Sequence, residues 1–466
     1  MDRRRFLKTA ALSATVAGCG GSGSGAQLPP PPPGGRPNVI VLVVDDLNAW
    51  TGYMGNAQAK TPHLDALAAR STAFIRNYCN EPLCNPSRSS AWSGLTPQDT
   101  KIWDNFTNLK DRNASAVLLP DWLAQHGYDV AQYGKINHSY NSVEEPFPPQ
   151  VPASNMVCSG YPAVPTEGLF DWGAMDVDDS QMPDYKYVQS GIDFLNGNRS
   201  RPFMLCVGMV RTHLSWYVPR KYVDMFPADQ VQVPDVPADD LADIPAVGRE
   251  LALFQNALDC VQLQGKWADA VRLYLASIAF VDAQVGRMMA ALDASAHADN
   301  TVVVLWSDNG FHLGEKFHWH KQALWEETTR VPLIIRKAGQ TVGARIDSAV
   351  SLIDTFPTLL DLTAMPAPYT LAGRSLKPLL DAPDTPWDHP VLMTNAAMDA
   401  AFKYATGTQF DYAIRTNRYR YIRYRDNGQE LYDDLADPTE YTNLASLPEN
   451  ADLIASFEAL MPPRTA

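Results

Sequence analysis

The stretch NVIVLVVDD, residues 38–46, is an unbroken apolar run, largely β-branched, that stops at two adjacent aspartates. A run with no polar alternation has no solvent face, so it predicts a strand covered on both sides, the usual setting of a parallel sheet. FMLCVGMV (203–210), TVVVLW (301–306) and VPLII (331–335) read the same way. Between them lie helical stretches, among them LPDWLAQHG (119–127), AVRLYLASIAFVDAQVGRMMAALDA (270–294) and SLIDTFPTLLDL (351–362). TPHLDALAARSTAF (61–74) predicts another helix, with Thr61 as N-cap, Pro62 at the first helical position and Leu64, Leu67 and Ala68 facing inward. Strands alternating with helices predict an α/β fold with a large, mainly parallel sheet between helices. In such sheets chemistry gathers at the carboxyl ends of the strands.

Both ends of the chain differ in texture. Residues 1–19, MDRRRFLKTAALSATVAGC, have a basic start, a short apolar core and small residues before a cysteine, which is an export signal too short to span a bilayer. RRRFLK resembles a twin-arginine signal and VAGC resembles a lipobox, which implies a lipid on Cys19 and a periplasmic or outer-membrane-anchored protein in a bacterium. Residues 20–37 are a Gly/Ser/Pro spacer that cannot build a core. The expected catalytic domain covers 38–385. From 386 to 466 a smaller subdomain follows, where DYAIRTNRYRYIRYR (411–425) and the turn DNG predict a hairpin in an antiparallel sheet. The arginines there fit one face of an exposed strand better than a nucleic-acid stripe.

With 466 residues and a net charge of −14, the chain offers no overall basic surface for nucleic acid or membranes. An anionic substrate needs a local cluster of cations. Asp45 and Asp46 end the first strand, and Asp308 and Asn309 follow the strand TVVVLW. Alone, the first pair would be a turn or a helix cap. If the two strands are neighbours, three carboxylates and an amide oxygen converge and call for a cation, and all-oxygen donors suit Ca²⁺ or Mg²⁺. The six cysteines show no zinc or disulfide spacing, and Cys206 reads as a buried small hydrophobe.

CNPSRSSAWSG (84–94) matches the signature of the type I sulfatases: cysteine, any residue, proline, serine, arginine, and glycine six residues on. The resemblance extends over residues 38–445, through TPHLDALAARSTAF, YGKINH (133–138), SDNGFHLGEKFHWHK (307–321) and ELYDDLADPTEYTNLA (430–445). It implies the alkaline-phosphatase-like fold and hydrolysis of a sulfate ester, on a sulfated small molecule or carbohydrate. The lysine-to-histidine spacing in GKINH and the segment RTHLSWYVP (211–219) look closest to the iduronate-2-sulfatase-like branch, where Asn309 is a departure.

By this resemblance Cys84 becomes formylglycine through a formylglycine-generating enzyme. Its hydrate would carry one hydroxyl to attack and one to expel the product. Asp45, Asp46, Asp308, Asn309 and position 84 would hold one Ca²⁺, and Arg88 would orient the nucleophile. Lys135 and Lys321 would clamp the sulfate. His138 would assist collapse of the hydrate, and His213 would contact the sulfate or protonate the leaving alcohol. Singly, each lysine would read as a solvated surface residue and each histidine as a structural one. His63, His126, His297 and His389 are read as structural, and His312, His318 and His320 as pocket walls and not a zinc site. Two alternatives stay open: a phosphonate or phosphodiester hydrolase of the same superfamily, and a lipid-anchored binding protein without catalysis.

Overall fold

The computed structural model describes residues 35–138, 171–253, 257–398 and 405–463. The leader, the linker up to residue 34, Cys19 and Cys158 lie outside these residues. A seven-stranded sheet is built from β1 (Asn38–Val44), β2 (Thr72–Phe74), β3 (Asp129–Gly134), β4 (Phe203–Met209), β5 (Thr301–Ser307), β6 (Leu333–Arg336) and β7 (Ala344–Ile346), in the order β7-β2-β6-β5-β1-β4-β3. Every residue of β1 is buried, as its uniform apolarity requires. Ile40, Leu42 and Val44 face one core with α4 (Trp267–Asp293) and α3 (Pro183–Leu195). Val39, Val41 and Val43 face a second core with α2 (Cys84–Ser93) and α5 (Thr355–Thr363). The first helix, α1 (Pro62–Ala68), buries Leu64, Leu67 and Ala68 as expected. Thr61 precedes it, but its hydroxyl is engaged by Gly52 N and Asp65 and caps no helical N–H.

The sheet is mostly parallel, with one departure. β6 runs antiparallel to both β5 and β2. Among the described elements, the connection from β5 to β6 holds only the 3-10 turn Glu315–Phe317 and the α-helical turn Glu326–Thr329, and no helix of the kind that usually makes a parallel crossover. Close strand approach at the other side depends on glycine. A Cβ on Gly208 of β4 would stand 1.9 Å from the backbone oxygen of Lys135, and one on Gly134 of β3 would stand 2.1 Å from the oxygen of Gly208. No side chain fits there, so these two glycines set where Lys135 leaves the sheet.

The C-terminal part holds a four-stranded antiparallel sheet, β8 (Val391–Met398), β9 (Ala405–Arg415), β10 (Tyr419–Arg423) and β11 (Gln429–Asp433). α6 (Ala451–Glu458) covers one face through Ile454 and Phe457. The other face packs Ala413, Ile422 and Tyr432 on Tyr78 and Trp325 of the larger part. The arginine run is therefore not an exposed stripe. Arg415, Arg420 and Arg423 are buried and paired, with Glu326 and Asp434, Glu326 and Glu440, and Glu458 respectively. The period-2 pattern was the right reading, but a sheet covered on both faces turns its charged positions into interface ion pairs, which must be matched to be tolerated.

Glu430 is a buried carboxyl on this interface. It accepts hydrogen bonds from Trp325 Nε1, Tyr424 Oη and Tyr432 Oη, each at 2.8 Å. Burial outweighs these donors and pushes its pKa up to about 7. The folded protein thus holds this proton more tightly than the unfolded chain, so the contribution of Glu430 to stability is full at low pH and is lost as pH rises from the ordinary carboxylate range through about 7. Thermal unfolding of the wild type and of Glu430→Gln, followed at pH 5 and pH 7.5, is expected to show a smaller pH-dependent loss in the variant. Equal losses would contradict this reading.

Candidate active site

The register of the sheet assembles the site. Val44 pairs with Ser307, so Asp45 and Asp46 leave β1 beside Asp308 and Asn309 leaving β5. Gly134 pairs with Gly208, which brings Lys135 to the same carboxyl end. Asp45, Asp46 and Asp308 each offer a carboxylate oxygen, and these three atoms lie within 4.8 Å of one another. All three residues and Asn309 are buried.

Cys84 begins α2, whose ten residues are buried throughout. Asn85, at the next position, donates its backbone N–H to Asn105 Oδ1 and its side-chain amide to Asp104 O and Thr107 O, which fixes the helix start against the loop 104–107. Arg88 sits one turn along. Its Nε donates to Asp308 at 2.6 Å, its guanidinium also donates to Asp45 at 3.0 Å, and it reaches Lys135 O at 2.5 Å. Its direct side-chain partners are the carboxylates, whose negative charge it offsets, while Cys84 lies within its electrostatic reach. Three planar donors fixing two strand ends is a task for arginine's rigid fork.

Lys135 and Lys321 are each 3% exposed, which rules out the bland reading of solvated surface lysines. Lys135 Nζ donates to Asp45 at 2.6 Å. Lys321 Nζ donates to Asp46 at 2.6 Å and lies 3.0 Å from Cys84 Sγ. His213 Nε2 stands 3.9 Å from Asp46, and one of its nitrogens lies within 4.8 Å of ligand atoms of Asp45 and Cys84. His138 is electrostatically within reach of Lys135, Asp45, Arg88 and Lys321. His318 bonds Ala252 O and Lys321 O, so it props the lysine loop. His312 is packed between the rings of His318 and Trp325.

Three carboxylates thus face three cations, Arg88, Lys135 and Lys321. Burial works to raise Asp45 and Asp46, but Lys135 and Arg88 at the first and Lys321 and His213 at the second outweigh it, and both sit below the usual range. At Asp308 burial prevails over Arg88, and the neighbouring carboxylates add to it, giving a pKa of about 6. Asn309 donates its amide to Asp46 and Gly310 O, while its buried Oδ1 has no hydrogen-bond partner among the described residues. An unpartnered buried oxygen beside three crowded carboxylates fits a hard divalent cation such as Ca²⁺. Adding such an ion leaves the cluster cationic, as an arriving sulfate requires.

Residues 37–365 match the family model described as Sulfatase. The chain belongs to the sulfatase family. A second model, described as the C-terminal part of N-sulphoglucosamine sulphohydrolase, matches residues 314–463. A sulfatase of Formosa agariphila is 33% identical, the match covering 92% of this chain and 87% of that protein. In fold, the sulfatase resembles a 2-O GAG sulfatase (TM-score 0.70, 22% identity, 91% of each chain). It also resembles the phosphonate monoester hydrolase of Agrobacterium radiobacter (TM-score 0.74, 22% identity, 91% of this chain and 95% of that one). The protein is a sulfuric ester hydrolase.

Supporting groups in this sulfatase carry no sequence signal of their own. Ser87 donates to Asp308 O at 2.5 Å, and Thr212 donates its N–H and hydroxyl to Asp45 O. Both stand inside quoted motifs, but only their contacts reveal the role. Cys79 and Cys206 are buried free thiols, and Cys260 is disulfide-bonded. Replacing Arg88 by lysine keeps the charge and loses the fork, so kcat/KM on an aryl sulfate is expected to fall about 10–100-fold, the scale for groups that orient the side chains of a site. Unchanged kinetics would contradict the role assigned to the fork.

Proposed function

We propose that this sulfatase hydrolyses a sulfate ester on a carbohydrate, using formylglycine made from Cys84 and one Ca²⁺ held by Asp45, Asp46, Asp308, Asn309 and position 84. The observation that carries this reading is the environment of Cys84. Burial, reinforced by Asp45, pushes its thiol well above the ordinary range despite Lys135 and Lys321. An unconverted cysteine here stays a protonated thiol and makes a poor nucleophile. Its Sγ stands in for the oxygens that a hydrated aldehyde would present: two hydroxyls on one carbon, one to attack sulfur and one to release the product. Bound Ca²⁺ would lower the pKa of an oxygen at position 84.

The remaining steps belong to the chain. Lys321 and Lys135 would neutralise the sulfate oxygens as charge builds on them, in a water-poor site where each cation counts for more. Burial and Lys135 hold His138 near a pKa of about 3. It is neutral at physiological pH, and would take up a proton only with bound sulfate offsetting the neighbouring cations. Burial likewise depresses His213, opposed by Asp46. A bound sulfate would favour the protonated form of His213, the state that can hand a proton to a leaving alcohol.

Support for a sugar substrate comes from the C-terminal match, whose namesake is an N-sulphoglucosamine sulphohydrolase. The spacing of Lys135 and His138 supports the iduronate-2-sulfatase-like branch. Folding does not choose between sulfate and phosphonate esters, since both chemistries occur on this architecture. Maturation requires a formylglycine-generating enzyme, and the leader ending at Cys19 supports export with a lipid anchor.

The test is kcat/KM on an aryl sulfate against the matching aryl phosphonate monoester, together with sulfate release from sulfated monosaccharides. The sulfate ester is expected to be preferred, and Cys84→Ala to abolish turnover of both. Preference for the phosphonate would overturn the assignment. Sulfate release from aryl but from no sugar ester would remove the carbohydrate.

A further inference from the structure

The turn that carries Asp46 has an unusual backbone. Asp46 has φ 57°, in the left-handed region that non-glycine residues seldom occupy. Such a conformation persists when neighbouring groups hold it. Here two hydroxyls do so, from distant parts of the chain. Tyr274, in the middle of α4, donates its hydroxyl to Asp46 O at 2.8 Å and accepts Asn48 N–H at 3.0 Å. Ser307, the last residue of β5, accepts Leu47 N–H at 2.9 Å and donates to Asn309 O at 3.1 Å. Between them the backbone groups of three consecutive residues, 46 to 48, are fixed by side chains, and Ser307 also ties this turn to the strand end that bears Asp308 and Asn309.

Neither hydroxyl is on the reacting face. Both are fully buried, and the Tyr274 ring is wedged against Trp50, Trp216 and Phe311, with centroids 5.9, 5.2 and 6.3 Å away. A ring held that firmly places its hydroxyl without further loss of freedom. We propose that Tyr274 and Ser307 are positioning residues for the cation site: they set the turn that aims the Asp46 carboxylate, and so set metal affinity without touching metal or substrate. The inference rests on the divalent-cation reading given above. It adds two residues to that reading, one of them about 230 positions from the turn it controls.

The experiment uses purified full-length protein stripped of metal and titrated with Ca²⁺ by calorimetry, alongside thermal unfolding of the metal-free form. Tyr274→Phe keeps the ring and removes only the hydroxyl, and Ser307→Ala removes the other. Each is expected to weaken Ca²⁺ binding about 10–100-fold, the usual scale for groups that orient metal ligands. At saturating Ca²⁺, kcat should return towards the wild-type value while the metal concentration needed rises, a split that general destabilisation would not give. If Tyr274→Phe does not fold, Ser307→Ala carries the test alone. Affinities within twofold of the wild type overturn the inference. Failure of the wild type itself to bind Ca²⁺ or Mg²⁺ overturns the cation reading beneath it, which keeps the two failures apart.

Discussion

Three carboxylates held at the end of two adjacent parallel strands are the constraint on which the rest of this structure depends. The pairing of Val44 with Ser307 brings Asp45 and Asp46 beside Asp308. Buried negative charges at such spacing repel strongly unless they are matched. Arg88, Lys135 and Lys321 meet that demand from three different segments, and each lies where it does because of it. Helix α2 starts at Cys84 so that Arg88, one turn later, can bridge both strand ends. Two glycines in β3 and β4 let Lys135 come close. Position 84, the proposed nucleophile, is thereby placed within a charge balance that the proposed divalent cation would tip towards the binding of an anion.

Much of this was legible in the residues. The uniform apolarity of NVIVLVVDD and TVVVLW points to two central strands, and their acidic ends converge because the strands are neighbours. The residues named from the family resemblance, His138 excepted, form one contiguous cluster of contacts, and His138 lies within its electrostatic reach. Motif spacing is informative there because the chemistry fixes it.

What the residues did not disclose is of two kinds. The arginine run 415–425 has the period of a strand, but periodicity cannot say what covers each face. Burial of Arg415 and Arg420 depends on Glu326, Asp434 and Glu440, partners separated in sequence from the run or recognisable only by contact. The antiparallel course of β6 is likewise not written in its own apolar residues, which suit either direction. Tyr274 shows the same limit at the site. In an apolar helix it reads as core, and only the placement of its hydroxyl against Asp46 O distinguishes it from its neighbours.

The central claim is that position 84 works as a converted residue and not as a thiol. Its most direct test is the mass of the tryptic peptide Asn77 to Arg88, NYCNEPLCNPSR, from protein produced together with a formylglycine-generating enzyme. The account predicts a peptide in which Cys79 still takes up an alkylating reagent while position 84 has exchanged its thiol for an aldehyde, in step with sulfatase activity. A fully active preparation in which both cysteines remain alkylatable would contradict it.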